Sequence, residues 1–384
     1  MKVTIFQPTV PHYRVPLFNA LYACPDLELR VISAKQGHAL PDAGHVAGLP
    51  YLDDSHQWIQ LPPNHALLWQ RGLDTVPLGD PGSVVAVCGN LRYLSNLPLL
   101  ARARRRGVGI VWWSHGAGLR RSRFAEMLRW YVMQWVDAVL LYTDSEVEDY
   151  VARGFPRQHL FATNNTIDVA EIDRMRKLFD NDDLAAFRAS KNLDRPFFLY
   201  CGRLKQSARL DLALDALRIL DQEARTSDLV VIGDGPERTA WQKLAEDYGV
   251  AHRVHWIGAE YDQQRLAPWF LAATGFVYPG PIGLSLIHAM AYGLPVITHD
   301  DRANHKPEIA VLQDGVNGMM YEEESSIDLA HKMGRLMDGS CQRAIMSGNA
   351  ISSVALDHSI DNMRKNFCNA VEYASQRALC RTGS

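Results

Sequence analysis

None of the six cysteines (Cys24, Cys88, Cys201, Cys341, Cys368 and Cys380) stands in a CxxC or other close pair. No zinc knuckle or dithiol redox motif is therefore written in the sequence. A chain of 384 residues needs no disulfide staples, and reduced thiols in a cytoplasm are expected. There is no uninterrupted apolar run of about 18 residues, so no spanning helix is expected. The opening Met1–Phe6 reads as a strand, and no secretory leader is expected there. No short-period repeat, no low-complexity tract and no complete G-x-G-x-x-G is present. Forty basic against forty-three acidic side chains leave a net charge of −3, so no bias toward nucleic acid exists and none is expected as a partner.

What is present is ordinary globular composition, 47% apolar and 22% charged, at a length that suggests two domains. Charge is uneven locally. Between residues 86 and 130 nine arginines (Arg92, Arg102, Arg104, Arg105, Arg106, Arg120, Arg121, Arg123 and Arg129) face Glu126 alone. Short apolar runs alternate with amphipathic stretches. Strands are predicted at Val3–Gln7, Leu27–Ile32, Val84–Cys88, Gly109–Trp113 and Ala138–Tyr142, with helices such as Ser95–Arg105 and Phe124–Trp135 between them. A charged, apolar-poor segment, Glu171–Asp194, reads as an inter-domain stretch. The alternation then restarts with strands at Phe197–Cys201, Leu229–Ile232, Val254–Ile257, Gly275–Tyr278 and Val296–Thr298. This pattern predicts an α/β chain of two Rossmann-like domains facing across a cleft, with ligands at the carboxyl ends of the strands.

Four segments carry chemistry. In Tyr278–Pro295 a strand ends in a Gly/Pro turn and a helix begins near Gly283. The N–H groups of Gly283, Leu284 and Ser285 would sit at its N-terminus, where an anion binds readily; a plain strand-to-helix turn is the alternative. In Tyr200-Cys201-Gly202-Arg203-Leu204-Lys205 a strand end presents Arg203, with Lys205 and Arg209 nearby, a set of cations that suits a diphosphate. Trp112–Gly118 places His115 and Gly116 in a glycine-rich loop after a strand, where a histidine donates or accepts near neutral pH or serves structure alone. Ile232–Glu237 reads as a tight turn before a helix, with Pro236 in its first turn.

In this order, and with Phe6–Pro16 and Asn165-Thr166-Ile167-Asp168, these motifs resemble the retaining glycosyltransferases of the large GT4 class, with the GT-B fold, over nearly the whole chain. The resemblance implies an acceptor-binding domain at 1–185, a nucleotide-sugar-binding domain at 186–362, and a helix and tail at 363–384 returning to the first domain. It implies a hexosyl transfer, with retention of anomeric configuration, from a nucleotide diphosphate sugar to a glycan or lipid-linked acceptor in cell-surface polysaccharide synthesis. Arg203, Lys205, Arg209, Gly283, Leu284, Ser285 and His288 would bind the donor. His115, Arg203 and Glu308 would be catalytic, and His12, Tyr13, Arg14 and Gly116 would face the acceptor. Neither metal nor cofactor is expected, and the Asp180–Asp183 run reads as solvated linker. A GT-B epimerase and a catalytically impaired nucleotide-sugar-binding protein are the rival readings.

Two departures stand out. The family's pair of glutamates falls on Gly280 and His288, and the lysine expected five residues after Arg203 is Ala208. His288 is then either a ribose contact or a buried histidine. Restoring the charge by Ala208→Lys is expected to raise donor turnover. The arginines from Arg102 to Arg129 read either as a solvated face or as a surface for an anionic membrane at the inner face of the plasma membrane. Phe124, Leu128, Trp130, Tyr131 and Trp135 would add apolar contact there, or form core.

Overall fold

The computed structural model describes residues 1–34, 46–61, 67–116, 123–355 and 357–382, with the side chain of Arg123 left aside. It divides into two compact units, 1–165 with 360–384, and 166–359.

The first unit is built on strands β1 (Lys2–Phe6), β2 (Glu28–Ala34), β3 (Leu52–His56), β6 (Val84–Cys88), β7 (Gly109–Trp113), β8 (Ala138–Leu141) and β9 (Leu160–Ala162). They form one sheet of order β3-β2-β1-β6-β7-β8-β9, parallel throughout. A small antiparallel hairpin joins β4 (Trp58–Leu61) to β5 (Leu67–Gln70). All residues of β7 and β8 are buried. A parallel sheet covered on both faces selects such continuous apolar runs. One face packs under Leu99, Leu100, Met133 and Val147. The other packs under Leu17, Phe18 and Leu21 together with Met363, Phe367, Ala370 and Ala374 from the last helix, Ile360–Thr382. That helix thus returns to the first unit, as expected, and Gly109 admits it: a β-carbon there would lie 2.7 Å from the Ala374 carbonyl oxygen.

The second unit has strands β10 (Phe197–Cys201), β11 (Asp228–Ile232), β12 (Val254–Gly258), β13 (Gly275–Val277), β14 (Val296–His299) and β15 (Gly318–Tyr321). Their order is β12-β11-β10-β13-β14-β15, again all parallel. The strand order reverses between β10 and β13, and in the first unit between β1 and β6. In open α/β sheets a ligand crevice forms outside the carboxyl ends of strands at such a switch point. The segments after β10 and β13 are Gly202–Lys205 and Tyr278–Gly283.

The expected boundary at 185/186 moves to 165/166. The supposed linker forms helices Val169–Arg176 and Asn181–Ser190, which belong to the second unit. Ile172 is buried in that unit's core, and Phe187 meets Trp269 edge-on at 4.8 Å. The tail segment likewise begins at Ile360 and not at 363. Asp180–Asp183 is no loose acidic run either. Asp180 accepts the Asp183 N–H at 2.9 Å, and Asp183 accepts the Asp180 N–H at 3.0 Å. This reciprocal pair is the capping box that starts the helix Asn181–Ser190.

Candidate functional site

In the second unit the chain after β10 lies on a bed of glycines. A β-carbon on Gly233 would fall 1.9 Å from the Gly202 carbonyl oxygen, and one on Gly235 2.2 Å from that of Leu204. The Leu204 N–H donates to Asp234 O at 2.9 Å, and the Glu237 N–H donates to Leu204 O at 3.1 Å. The Gly233–Glu237 segment is thus the turn that fixes the backbone of Gly202–Leu204. Below it Tyr200 stacks on Tyr278 (5.1 Å, 18°) and donates to the Arg203 carbonyl at 3.1 Å. Arg203 and Lys205 leave this base as exposed side chains.

The loop after β13 is held as firmly. Thr298 Oγ1 donates to Tyr278 O at 2.8 Å, and the Tyr321 hydroxyl to Pro279 O at 2.9 Å. The helix Leu284–Ala291 begins at Gly283, where the first N–H groups have no partner within the helix. Lys306 and Glu308 close in on this glycine. Lys306 Cγ lies 3.1 Å, and Glu308 Oε2 3.7 Å, from the point a Gly283 β-carbon would occupy. Lys205 is close enough to Lys306 and Arg203 that burial first, then these two cations, push its pKa down. Arg203 and Lys205 thus stand near Lys306, which with Glu308 lies beside Gly283, and Leu284 and Ser285 open the helix. The structure adds Lys306, which the sequence reading passed over although it stands two residues before Glu308.

Three expectations change here. Arg209 has φ +50°, and its guanidinium binds Asp211 at 3.0–3.2 Å and also Glu324. These carboxylates engage it within the protein and leave it unsuited to stand in for a phosphate cation. His288 Nε2 lies 3.0 Å from Gln263 Oε1, and its ring packs on Phe270 at 4.5 Å. Burial pushes its pKa down to about 4, so it is a neutral histidine satisfied by a side chain and not a free ribose contact. Ala208 is fully buried, and the Gly280 N–H donates to its carbonyl at 3.1 Å. A lysine there would have to be buried, so Ala208→Lys is expected to lower stability and not to raise turnover.

His305 bridges the same loop. Its Nδ1 accepts the Ile282 N–H at 3.0 Å, and its Nε2 lies 2.9 Å from His299 O. Burial holds it, like His288, near pKa 4. Both stay neutral in the folded chain, while in the unfolded chain they titrate near 6.5. Their stabilising contribution is complete above about pH 6.5 and is lost as pH falls toward 4. Melting temperature should drop over that window, and His288→Gln should flatten the drop; an unaltered pH profile in the variant overturns the assignment.

The first unit holds the other predicted residues. Arg14 is 4% exposed; its guanidinium lies 4.3 Å from the Trp113 ring and 5.3 Å from Tyr142, and donates to the Tyr142 hydroxyl at 3.0 Å. Tyr13 lies on the same cation at 5.5 Å. His115 is exposed and meets Tyr142 edge-on at 4.1 Å, so the structure brings Tyr13, Arg14 and His115 together through a tyrosine. His12 is exposed beside them in sequence. The His115–Gly116 loop is tied down by Glu146, which accepts the Gly116 N–H at 2.5 Å and the Tyr142 N–H at 2.8 Å. Glu146 was not foreseen; its signal is the spacing Thr143-x-x-Glu146, a capping box.

Three arginines of the cluster are engaged within the fold. Arg102 donates to the carbonyls of Leu73, Asp74 and Val76. Arg104 lies over Trp135 at 5.0 Å. Buried Arg129 donates to the carbonyls of His115 and Gly116 at 2.8 and 3.1 Å. Arg105 and Arg106 are exposed; Arg120 and Arg121 lie outside the described residues. Trp130 packs against Tyr150 and Phe155. Phe124, Met127, Leu128, Tyr131 and Trp135 are instead 40–68% exposed, at the spacing of one helix face. Among the described residues no helix is long and apolar enough to cross a membrane, and no group of three or more His, Cys, Asp or Glu is placed to hold a metal ion.

Residues 182–353 match the family described as glycosyl transferases group 1. Among curated proteins the chain is similar to the alpha-D-kanosaminyltransferase of Streptomyces kanamyceticus, 26% identical over 44% of this chain and 43% of that protein. It is also similar to the lipopolysaccharide 1,6-galactosyltransferase of Salmonella typhimurium, 28% identical over 38% and 41%. The chain thus spans less than half the length of these relatives. Among solved structures, Anabaena HepE in complex with UDP superimposes with a TM-score of 0.70 at 13% identity, over 96% of this chain and 98% of that one. The lipopolysaccharide outer core galactosyltransferase WaaB, in its apo form, gives 0.65 at 20% identity over 97% and 99%. Residues 182–353 thus carry a group 1 glycosyl transferase match, and the fold of the chain is GT-B.

Proposed function

We propose that the chain transfers a hexosyl group from a nucleotide diphosphate sugar to a glycan or lipid-linked glycan, with retention at the anomeric carbon. The observation that carries this reading is the gathering of Arg203, Lys205 and Gly283 at the switch point of the second sheet, within the group 1 domain. In the transfer, the bond from the anomeric carbon to the leaving phosphate oxygen breaks, and a bond to the acceptor oxygen forms on the same face. The acceptor proton passes to the departing phosphate. Gly280 offers no carboxylate for a covalent intermediate, which favours this route over double displacement. Arg203 and the helix N-terminus stabilise the charge that grows on the diphosphate. Glu308, beside Gly283, would lie at the sugar. The chain's own cations serve as the counter-charge, so the reading calls for no resident metal or cofactor.

The test is incubation with UDP- and GDP-hexoses over a panel of glycan and lipid-linked acceptors, with anomeric configuration read by NMR. A retained product supports the reading. Isomerisation of donor without acceptor would identify an epimerase, and donor binding with no turnover would identify a binding protein; either overturns it.

The reading places the chain at the cytoplasmic face of the plasma membrane, through the exposed apolar face of the helix Arg123–Trp135, with Arg105 and Arg106, exposed at the end of the helix Asn96–Arg105, as candidate basic contacts. Such a helix lies in the membrane interface with its apolar side down. In flotation assays the chain should rise with vesicles containing anionic lipid and remain below with neutral ones, and the Phe124→Ser/Tyr131→Ser double variant should lose the association. No flotation of the wild type with either vesicle overturns the membrane assignment.

A further inference from the structure

Position 208 cannot hold the lysine that the resemblance expects, because Ala208 is fully buried and the backbone at Gly280 closes over it. A β-carbon on Gly280 would stand 2.8 Å from Ala208 Cα. We propose that Lys306 is the second diphosphate cation of this chain, taking from the far side of Gly283 the part that position 208 has lost. The inference rests on the donor-binding reading above and adds to it a residue and a place.

The geometry is local and specific. The Lys306 N–H donates to Ile282 O at 2.9 Å, which fixes where its side chain starts. Its Cβ and Cγ lie 3.3 and 3.1 Å from where a Gly283 β-carbon would be, so the aliphatic stem runs along the glycine that opens the helix Leu284–Ala291. Arg203 and Lys205 approach from the end of β10. The mutual influence of the three is seen at Lys205, where burial and then Lys306 and Arg203 lower the pKa. Neither Lys205 nor Lys306 forms an ion pair with a carboxylate among the described residues. Glu308 is the carboxylate beside the same glycine. Lys205 and Lys306, two like charges close enough to disfavour each other, gain from an anion that arrives between them. A sugar diphosphate, with one negative charge on each phosphate, matches that pair.

Titration calorimetry on the full chain with UDP, GDP, ADP and dTDP in turn tests this. Lys306→Gln is expected to weaken the nucleotide that binds by roughly 10- to 150-fold, the value of one charge-assisted contact, and to reduce the salt dependence of binding. Lys306→Arg should stay within about threefold of wild type. Because Lys306 is exposed, neither change should move the melting temperature, which separates lost contact from lost fold. If the wild type binds a nucleoside diphosphate and Lys306→Gln binds it equally well, Lys306 is not the cation and the donor reading stands. If none of the four binds the wild type, the donor reading falls and this inference with it.

Discussion

Gly280→Glu, which restores the carboxylate that the resemblance expects, will destabilise the second unit and yield no gain in activity. The reason is backbone against backbone. A β-carbon at residue 280 would lie 2.1 Å from the Ser207 carbonyl oxygen and 2.8 Å from Ala208 Cα, and the Gly280 N–H is spent on Ala208 O. No rotamer relieves a clash made by the first side-chain atom, so one of the two loops must shift. Overpacking in a well-filled interior costs about 1–3 kcal/mol, and a carboxylate forced in beside backbone carbonyls adds an unpaired buried charge. A loss of at least about 3 kcal/mol in denaturant-derived stability is expected for Gly280→Glu. Gly280→Ala should lose most of it, since the β-carbon alone makes the contact. Ala208→Lys, its neighbour across the same contact, should lose at least about 2 kcal/mol through a buried ammonium. Wild-type stability in Gly280→Glu, within about 0.5 kcal/mol, would mean the contact is not rigid. The two departures from the family pattern are thus one structural fact: a chain closed tightly at Gly280 and Ala208 admits neither the glutamate nor the lysine.

That coupling was invisible in the sequence, where positions 208 and 280 are merely two isolated oddities. The strands that form the sheet centres were legible, because Val84–Cys88, Gly109–Trp113 and Phe197–Cys201 are apolar throughout and burial on both faces demands that. The edge strand Leu52–His56 was not. Its sequence LDDSH carries two aspartates, since an edge needs no apolar cover. Glu171–Asp194 looked like linker because its charge density is high, yet a helix packed on one side needs only a stripe: Ile172 and Phe187 supply it. Cation counting overstated the free surface. Nine arginines suggested a surface, but arginine is also the side chain that satisfies several buried carbonyls at once. Arg102 and Arg129 do that work. Charge pattern in a sequence reports how many groups exist and says little of which are already engaged. The residues after β10 and β13 that we assign to the donor could be picked out in the sequence because the strand–glycine–cation order survives translation into space. Lys306 was missed because its proximity to Gly283 depends on a loop that doubles back by way of His305.

Arg203→Ala is expected to lower kcat/KM for transfer by about 100-fold, or about 2.7 kcal/mol, while leaving the melting temperature unchanged. Arg203 is exposed, so its truncation creates no cavity. Its main chain is held independently, by the Tyr200 hydroxyl on its carbonyl and by the Gly202 N–H on Ile232 O at 2.9 Å. The loop therefore stays in place when the side chain goes, and the measured loss belongs to the guanidinium. A fixed fork of donors at a strand end is arranged in advance of the charge it meets and needs no reorganisation as that charge grows. Arg203→Lys should recover only part of the loss, because an ammonium cannot make the paired hydrogen bonds that a guanidinium makes to neighbouring phosphate oxygens. The division of the loss is informative. If nucleoside diphosphate affinity falls as much as kcat/KM, Arg203 serves ground-state binding. If kcat falls while affinity barely changes, it acts on the charge developing as the sugar leaves, which is the division the same-face route requires. Activity of Arg203→Ala within about threefold of wild type would remove Arg203 from the site. It would leave Lys205 and Lys306 as the cations that hold the diphosphate.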